Sequence, residues 1–149
     1  MHLRPMLIGV GLLVAGSTWT SASRGAPLSP FGPVDLCGDI VSVAWYPAAK
    51  VAGKRGFSGS LGRDRTFPAR FGVLLRNSTG LKPDQRTRMN ATLRGAAKLK
   101  EGEGEVVVMV NSNDPDLLKN ARSLCLYGFR IRGDEGGTWV VHDRVVPKP

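Results

Sequence analysis

The stretch from Phe57 to Lys100, FSGSLGRDRTFPARFGVLLRNSTGLKPDQRTRMNATLRGAAKLK, carries the clearest structural pattern in the chain. It predicts a strand at 57–61, a turn at 62–65, a second strand at 67–76 and then a helix. In the second strand Phe71, Val73 and Leu75 occupy alternate positions, which places them on one face. We expect that face to pack inward, and the opposite face, with its two arginines at positions 70 and 76, to meet water.

The helix is predicted to begin at Pro83, whose missing N–H is harmless in a first turn, and to end before Gly102. Asp84 lies near the helix start, where a negative charge complements the helix dipole. Two stripes are expected along this helix. The apolar stripe consists of Met89, Leu93, Ala96 and Ala97, and the polar stripe of Arg86, Asn90, Arg94 and Lys98.

The rest of the chain predicts further short elements around this unit. In order, these are an irregular lead-in at 23–36, a strand at 39–46, a flexible link at 48–56, an apolar strand at 106–110, a short helix with Pro115 at its start, strands at 125–132 and 138–146, and a tail at 147–149.

This order of elements predicts one α+β domain at 37–146, built on an antiparallel sheet with one longer and one shorter helix. A three-strand meander followed by a helix and further strands also resembles the order of a small OB-type barrel. The barrel is therefore an alternative form of the same prediction. It implies no function, because folds of this kind host many.

The first 22 residues predict a signal peptide. His2 and Arg4 form a basic start, residues 6–16 are apolar, and small residues follow up to an expected cleavage near Ala22–Ser23. The alternative is an uncleaved anchor, but an apolar run of that length is short of the ~20 residues that cross a bilayer. We therefore expect an exported protein, periplasmic or extracellular, with no membrane-spanning segment after cleavage.

The chain has two cysteines, Cys37 and Cys125, and both follow the predicted cleavage position. An even cysteine count in an exported chain favours a disulfide. Two unpaired buried thiols are the alternative. A catalytic dithiol is not expected, because the cysteines are far apart in sequence.

Positive charge is concentrated in one part of a chain whose net charge is +9. Residues 50–100 hold 13 Lys and Arg against Asp64 and Asp84, whereas residues 101–149 have a slight acidic excess. A basic surface attracts acidic glycans, lipid headgroups, nucleic acids or acidic proteins. Trp45, Phe57 and Phe67 would add stacking surfaces. The predicted basic face consists of Arg63, Arg65, Arg70, Arg76, Arg86, Arg94 and Lys98.

Three functions remain open at this point. The first is a disulfide-stabilised binding module for an anionic partner, the second a small hydrolase with arginines as charge stabilisers, and the third an envelope-associated structural protein. For the hydrolase, the carboxylates to be tested are Asp64, Asp143 and Glu135. His142, the one histidine after the predicted signal, is expected to be a solvent-facing or hydrogen-bonded strand residue. No cofactor or metal is expected.

Two N-glycosylation patterns occur, at Asn77-Ser78-Thr79 and at Asn90-Ala91-Thr92. They are relevant only in a eukaryotic source. The second lies in the middle of the predicted helix, which is a poor acceptor context.

Overall fold

The computed structural model of the protein describes residues 31–53, 64–134 and 137–149. Eight strands and one helix form in these ranges. The elements are β1 (Phe31–Tyr46), β2 (Ala49–Val51), β3 (Arg65–Phe67), β4 (Arg70–Thr79), α1 (Pro83–Ala97), β5 (Val106–Asn111), β6 (Ser123–Asp134), β7 (Gly137–Val141) and β8 (Arg144–Lys148). The predicted signal peptide and the predicted strand at 57–61 lie outside the described residues.

The main sheet has the order β5-β4-β1-β6-β7, with β8 pairing to the other end of β6, and every pairing in it is antiparallel. The α+β class and the antiparallel sheet are therefore confirmed. The described strands do not close into a barrel, so that form of the prediction is wrong. The two edge strands, β5 and β7, lie close together without forming a ladder. The Asn111 side chain of β5 links them by donating to the Val140 carbonyl of β7 at 2.8 Å.

Strand β1 is long enough to serve two partners in turn. Its first part, from Phe31 to Asp39, pairs with β6, and its second part, from Cys37 to Tyr46, pairs with β4. Near Cys37 and Asp39 it has strands on both sides. The lead-in was expected to be irregular as far as residue 36, but β1 begins five residues earlier. Pro33 fits there because it lies at a register shift, where the ladder does not require its N–H.

Strand β4 confirms the predicted inward face, since Phe71, Val73 and Leu75 are buried. Gly72 and Leu74 on the other face are buried as well, so the expectation of a solvated second face was wrong. Helix α1 covers that face. A Cβ built on Gly72 would lie 3.0 Å from the Ala97 side chain, so the glycine permits this close approach.

Helix α1 begins at Pro83 as predicted, with Asp84 in its first turn. Its buried side includes Met89, Leu93 and Ala97, whereas Ala96 from the predicted apolar stripe is exposed.

Asn90 was expected on the polar side of the helix but is buried. Its side chain accepts from the Val107 N–H at 2.7 Å and donates to the Glu105 carbonyl at 3.0 Å. These bonds satisfy the backbone groups of Glu105 and Val107 at the free edge of β5, as a neighbouring strand would.

The predicted short helix after Pro115 is wrong, and α1 is the single helix of the described residues. The segment consists of consecutive turns, in which the N–H groups of Leu117, Lys119 and Ala121 each donate to the carbonyl three residues earlier. The Asp114 N–H donates to the Ser112 hydroxyl and the Asp116 N–H donates to the Asp114 carboxylate, so capping chemistry is present without a helix to follow it.

The C-terminal part forms two strands where one was expected at 138–146. Strands β7 and β8 pair with opposite ends of β6, and the chain turns between them at His142 and Asp143. In β7 the Trp139 side chain is partly exposed and its neighbour Val140 is buried. Strand β8 continues to Lys148, so the expected tail at 147–149 pairs with the sheet for most of its length.

Cys37 and Cys125 form the disulfide that the sequence favoured. They lie directly opposite each other in the β1–β6 ladder, with a sequence separation of 88. A disulfide of this kind indicates an oxidising setting outside the cytoplasm.

Candidate anion-binding site

Tyr46, the last residue of β1, is the centre of a group of cationic and aromatic side chains. Its hydroxyl donates to the Ala97 carbonyl at 2.6 Å, which fixes the ring against the end of α1. The Arg70 guanidinium lies 5.5 Å from the ring centroid, and the Lys98 ammonium lies 5.7 Å from the same centroid. Both distances are within the range of cation–π attraction.

Phe67 extends this group toward β3. The Arg70 guanidinium lies 5.5 Å from the Phe67 ring centroid as well, so it contacts two aromatic rings. Tyr46, Phe67, Arg70 and Lys98 are together called the cation–aromatic cluster below.

The backbone explains why these side chains meet. Tyr46 and Arg70 are directly opposite each other in the β1–β4 ladder, and such pairs point to the same face. Lys98 has a left-handed backbone with a φ of 51°, and its N–H donates to the Arg94 carbonyl, which ends the helix. A cation at this end is favourable because the last carbonyls carry partial negative charge.

Two other arginines of the predicted basic face are neutralised by the glycine-rich turn before β5. Arg76 lies 2.8 Å from Glu105, and Arg94 lies 3.0 Å from Glu101. The hydrogen bond from Arg76, with a second from the Gly102 N–H, lowers the pKa of the Glu105 carboxyl. Within the described residues neither Arg70 nor Lys98 has an acidic partner at ion-pair distance.

The remaining predicted basic residues lie elsewhere. Arg63 is outside the described residues, Arg65 is exposed on the small β2–β3 sheet, and Arg86 is half-buried in the first half of α1. Among the predicted aromatic residues, Trp45 lies 6.5 Å from the Phe71 ring, and Phe57 is outside the described residues.

Sequence reasoning missed Tyr46 as a site residue. Its position at a strand end before Pro47 indicates only where the strand stops. The contact with Arg70 and Lys98 depends on long-range pairing, for which the local sequence has no signal. Arg70 and Lys98 were both among the predicted basic residues, but the ring that they share was not predicted.

His142 is half-buried and hydrogen-bonded as expected, but it lies in the turn between β7 and β8 and not in a strand. Its Nε2 accepts from the Asn111 N–H at 3.1 Å. Burial lowers the pKa of the imidazole, and the neighbouring Asp143 opposes that shift. The Asp143 carboxylate instead accepts from Arg130 at 3.0 Å, so the two side chains form no base–orienter pair.

Further features limit the chemistry of the described part of the chain. It contains no group of three His, Cys, Asp or Glu side chains placed to hold a metal ion. No helix in it has the length and apolar character needed to cross a membrane.

Comparison with protein-family models, with curated proteins and with solved structures returned no match. The cation–aromatic cluster is therefore interpreted from its own geometry.

Proposed function

We propose that this protein is an exported binding module whose basic face, with the cation–aromatic cluster at its centre, engages an anionic partner. The single observation that carries the proposal is the convergence of Arg70 and Lys98 on Tyr46 without a described acidic partner. A fold that only needed solubility has no requirement to bring two cations to one ring. The disulfide supports the exported setting.

Exposed cations on the small β2–β3 sheet would extend the contact area. Lys50 pairs across from Thr66 on the small sheet, and Arg65 lies at the next position of β3. Arg76 and Arg94 contribute less, because their charges are compensated by Glu105 and Glu101. An anionic polymer would meet positive charge beside planar rings. The positive charge attracts the acidic groups of such a polymer, and the aromatic rings stack against its cyclic groups.

The hydrolase alternative has less support. It requires a carboxylate and arginines in one cleft. The Asp64 carboxylate accepts from the Gly53 N–H, and Asp143 pairs with Arg130. Neither lines the cavity beside Arg70, and Glu135 lies outside the described residues. No observation therefore favours the catalytic candidate.

Elution from a heparin matrix in a salt gradient tests the proposal. The variant Arg70→Gln/Lys98→Gln removes two charges at the cation–aromatic cluster. The matched control Arg122→Gln/Lys148→Gln removes two exposed charges near the ends of β6 and β8. We expect the cluster variant to elute at clearly lower salt, since fewer counterions are released on binding. The control is expected to elute close to the unmodified protein.

An equal shift in both variants would mean that retention follows net charge alone, and the proposal would then fail. Thermal unfolding of each variant checks that the fold is intact. The same gradient on a single-stranded DNA matrix distinguishes a glycan preference from a general affinity for polyanions.

A further inference from the structure

A cavity opens directly beside the cation–aromatic cluster, at the seam where β5 and β7 approach without pairing. Its walls come from the start of β4, the second half of α1, the end of β5 and from β7. The lining residues are Phe67, Pro68, Arg70, Leu93, Ala96, Met109, Asn111, Trp139 and Val140.

The size of the cavity limits what it can hold. Its volume is about 70 Å³, and one water molecule requires roughly 10–15 Å³ on this measure. The space therefore accommodates about five to seven small groups, which corresponds to a short aliphatic chain or one aromatic ring. Ala96 lines the cavity from the helix, next to buried Leu93. Its exposed side chain is a single methyl group, so it leaves the space open.

The lining is chemically one-sided. Leu93, Met109 and Val140 are buried apolar residues, and the Trp139 side chain stands partly exposed beside them. Among the described residues that line the cavity, Arg70 is the one that carries a charge. The Asn111 amide already donates to the Val140 carbonyl, so it is committed to holding the seam. An apolar site with a single cation at its margin fits a ligand with an apolar body and one negative charge.

We propose that this cavity binds a small amphipathic carboxylate, with its apolar body against Met109 and Trp139 and its carboxylate on Arg70. The inference rests on the proposed function through Arg70, and it deepens that function by adding an apolar requirement to the anionic one. A guanidinium–carboxylate contact is charge-assisted and bidentate, and therefore stronger than a neutral hydrogen bond. The apolar body removes its own surface and that of the cavity from water.

Calorimetric titration of the full chain with 3-phenylpropionate tests the cavity. The neutral analogue 3-phenylpropanol and the bodiless anion acetate are titrated in parallel. We expect the carboxylate to bind about tenfold or more tightly than either analogue, because each lacks one of the two interactions. Equal binding of the carboxylate and the alcohol would overturn the role of Arg70.

Two helix variants test the location. Ala96→Leu places bulk in the cavity, and Ala91→Leu adds the same bulk at an exposed position of α1 outside the lining. We expect Ala96→Leu to weaken 3-phenylpropionate binding about tenfold or more, and Ala91→Leu to leave it unchanged. Unchanged binding in Ala96→Leu would overturn the site.

The heparin gradient separates this inference from the proposed function. Ala96→Leu keeps both cations of the cation–aromatic cluster, so its elution is expected to match that of the unmodified protein. Loss of 3-phenylpropionate binding in Ala96→Leu, together with normal heparin elution, supports both the cavity site and the proposed function. No binding in the unmodified protein, with elution still dependent on Arg70 and Lys98, overturns the cavity site alone.

Discussion

The two halves of β1 serve different purposes. The first half is tied to β6 by a ladder and by the Cys37–Cys125 disulfide, and its neighbours Leu124 and Leu126 are buried. The second half forms its ladder with β4 and ends at Tyr46, where the cation–aromatic cluster begins.

Exposure follows the same division. In the second half the side chains of Val41, Val43 and Trp45 are each about 40% exposed, whereas Leu36 in the first half is 1% exposed. The covalent link thus lies in the half with the buried neighbours, and the surface available to a partner lies in the other. Under the proposed function, one strand therefore carries both a half that stabilises the fold and a half that would meet the anionic partner.

The largest test of this division is removal of the disulfide by Cys37→Ser/Cys125→Ser. In the chain-entropy model a closed loop of this length stabilises by roughly 4–5 kcal/mol, and we expect a loss near that size in urea unfolding. Heparin elution of the folded variant should stay unchanged, because the cation–aromatic cluster belongs to the other half. Lower salt elution with a normal fold would show that the halves are coupled.

Asn90→Ala tests the attachment of α1 to β5. It leaves the Val107 N–H and the Glu105 carbonyl without their side-chain partner, and we expect a loss of about 2–4 kcal/mol in unfolding free energy. Asn120→Ala, at an exposed turn position, is the matched control and should be near neutral. Similar losses in the two variants would contradict the edge-capping role.

A smaller effect is expected for Tyr46→Phe, which removes only the hydroxyl that donates to the Ala97 carbonyl. We expect a loss of about 1 kcal/mol with heparin elution retained, because the ring under Arg70 and Lys98 remains. The control is Tyr127→Phe, since the Tyr127 hydroxyl has no hydrogen bond to a described residue. Weaker heparin binding in Tyr46→Phe would assign the hydroxyl itself to the ligand.

The smallest effect is a pH dependence from His142. Its pKa in the fold is lowered from 6.5 by burial, so the unfolded chain takes up a proton first as the pH falls. Stability is therefore expected to decline from pH 7.5 to 5.5 and to be flatter in His142→Gln. The Glu105 carboxyl has a lowered pKa, and its contribution is lost only below this window. An identical decline in both proteins, measured by urea midpoints, would exclude the imidazole as its source.

The elements that the sequence predicted well are those with local causes. Alternation in β4, Pro83 at a helix start and the continuous apolar run of β5 each reflect a choice made within a few residues. The disulfide was favoured for a similar reason, because two cysteines allow one pairing.

The errors arose where distant residues decided the outcome. The extension of β1 back to Phe31 requires β6, and burial of Asn90 requires the free edge of β5. The cation–aromatic cluster falls in the same group, because Arg70 meets Lys98 only through Tyr46. Charge counting found the basic region, but it did not separate arginines held by Glu101 and Glu105 from cations without such partners.

The Asn90 contacts also bear on covalent modification. Both ends of its amide are engaged in buried hydrogen bonds, so the folded protein offers no acceptor nitrogen for a glycan at this position. The Asn77 side chain also donates a hydrogen bond, to Asp39 at 2.9 Å, but it is exposed and therefore reachable in the fold.

The position of the disulfide has a mechanical consequence. If the chain is pulled between Phe31 and its C-terminus, tension passes from Cys37 straight to Cys125, and the intervening loop carries no load. With a sequence separation of 88, roughly 300 Å of contour is kept out of the force path. The sequestered loop includes β4, α1 and every residue of the cation–aromatic cluster. An anchored copy of this protein would therefore keep the cation–aromatic cluster within the protected loop under stretching that unravels the strands outside the bridge.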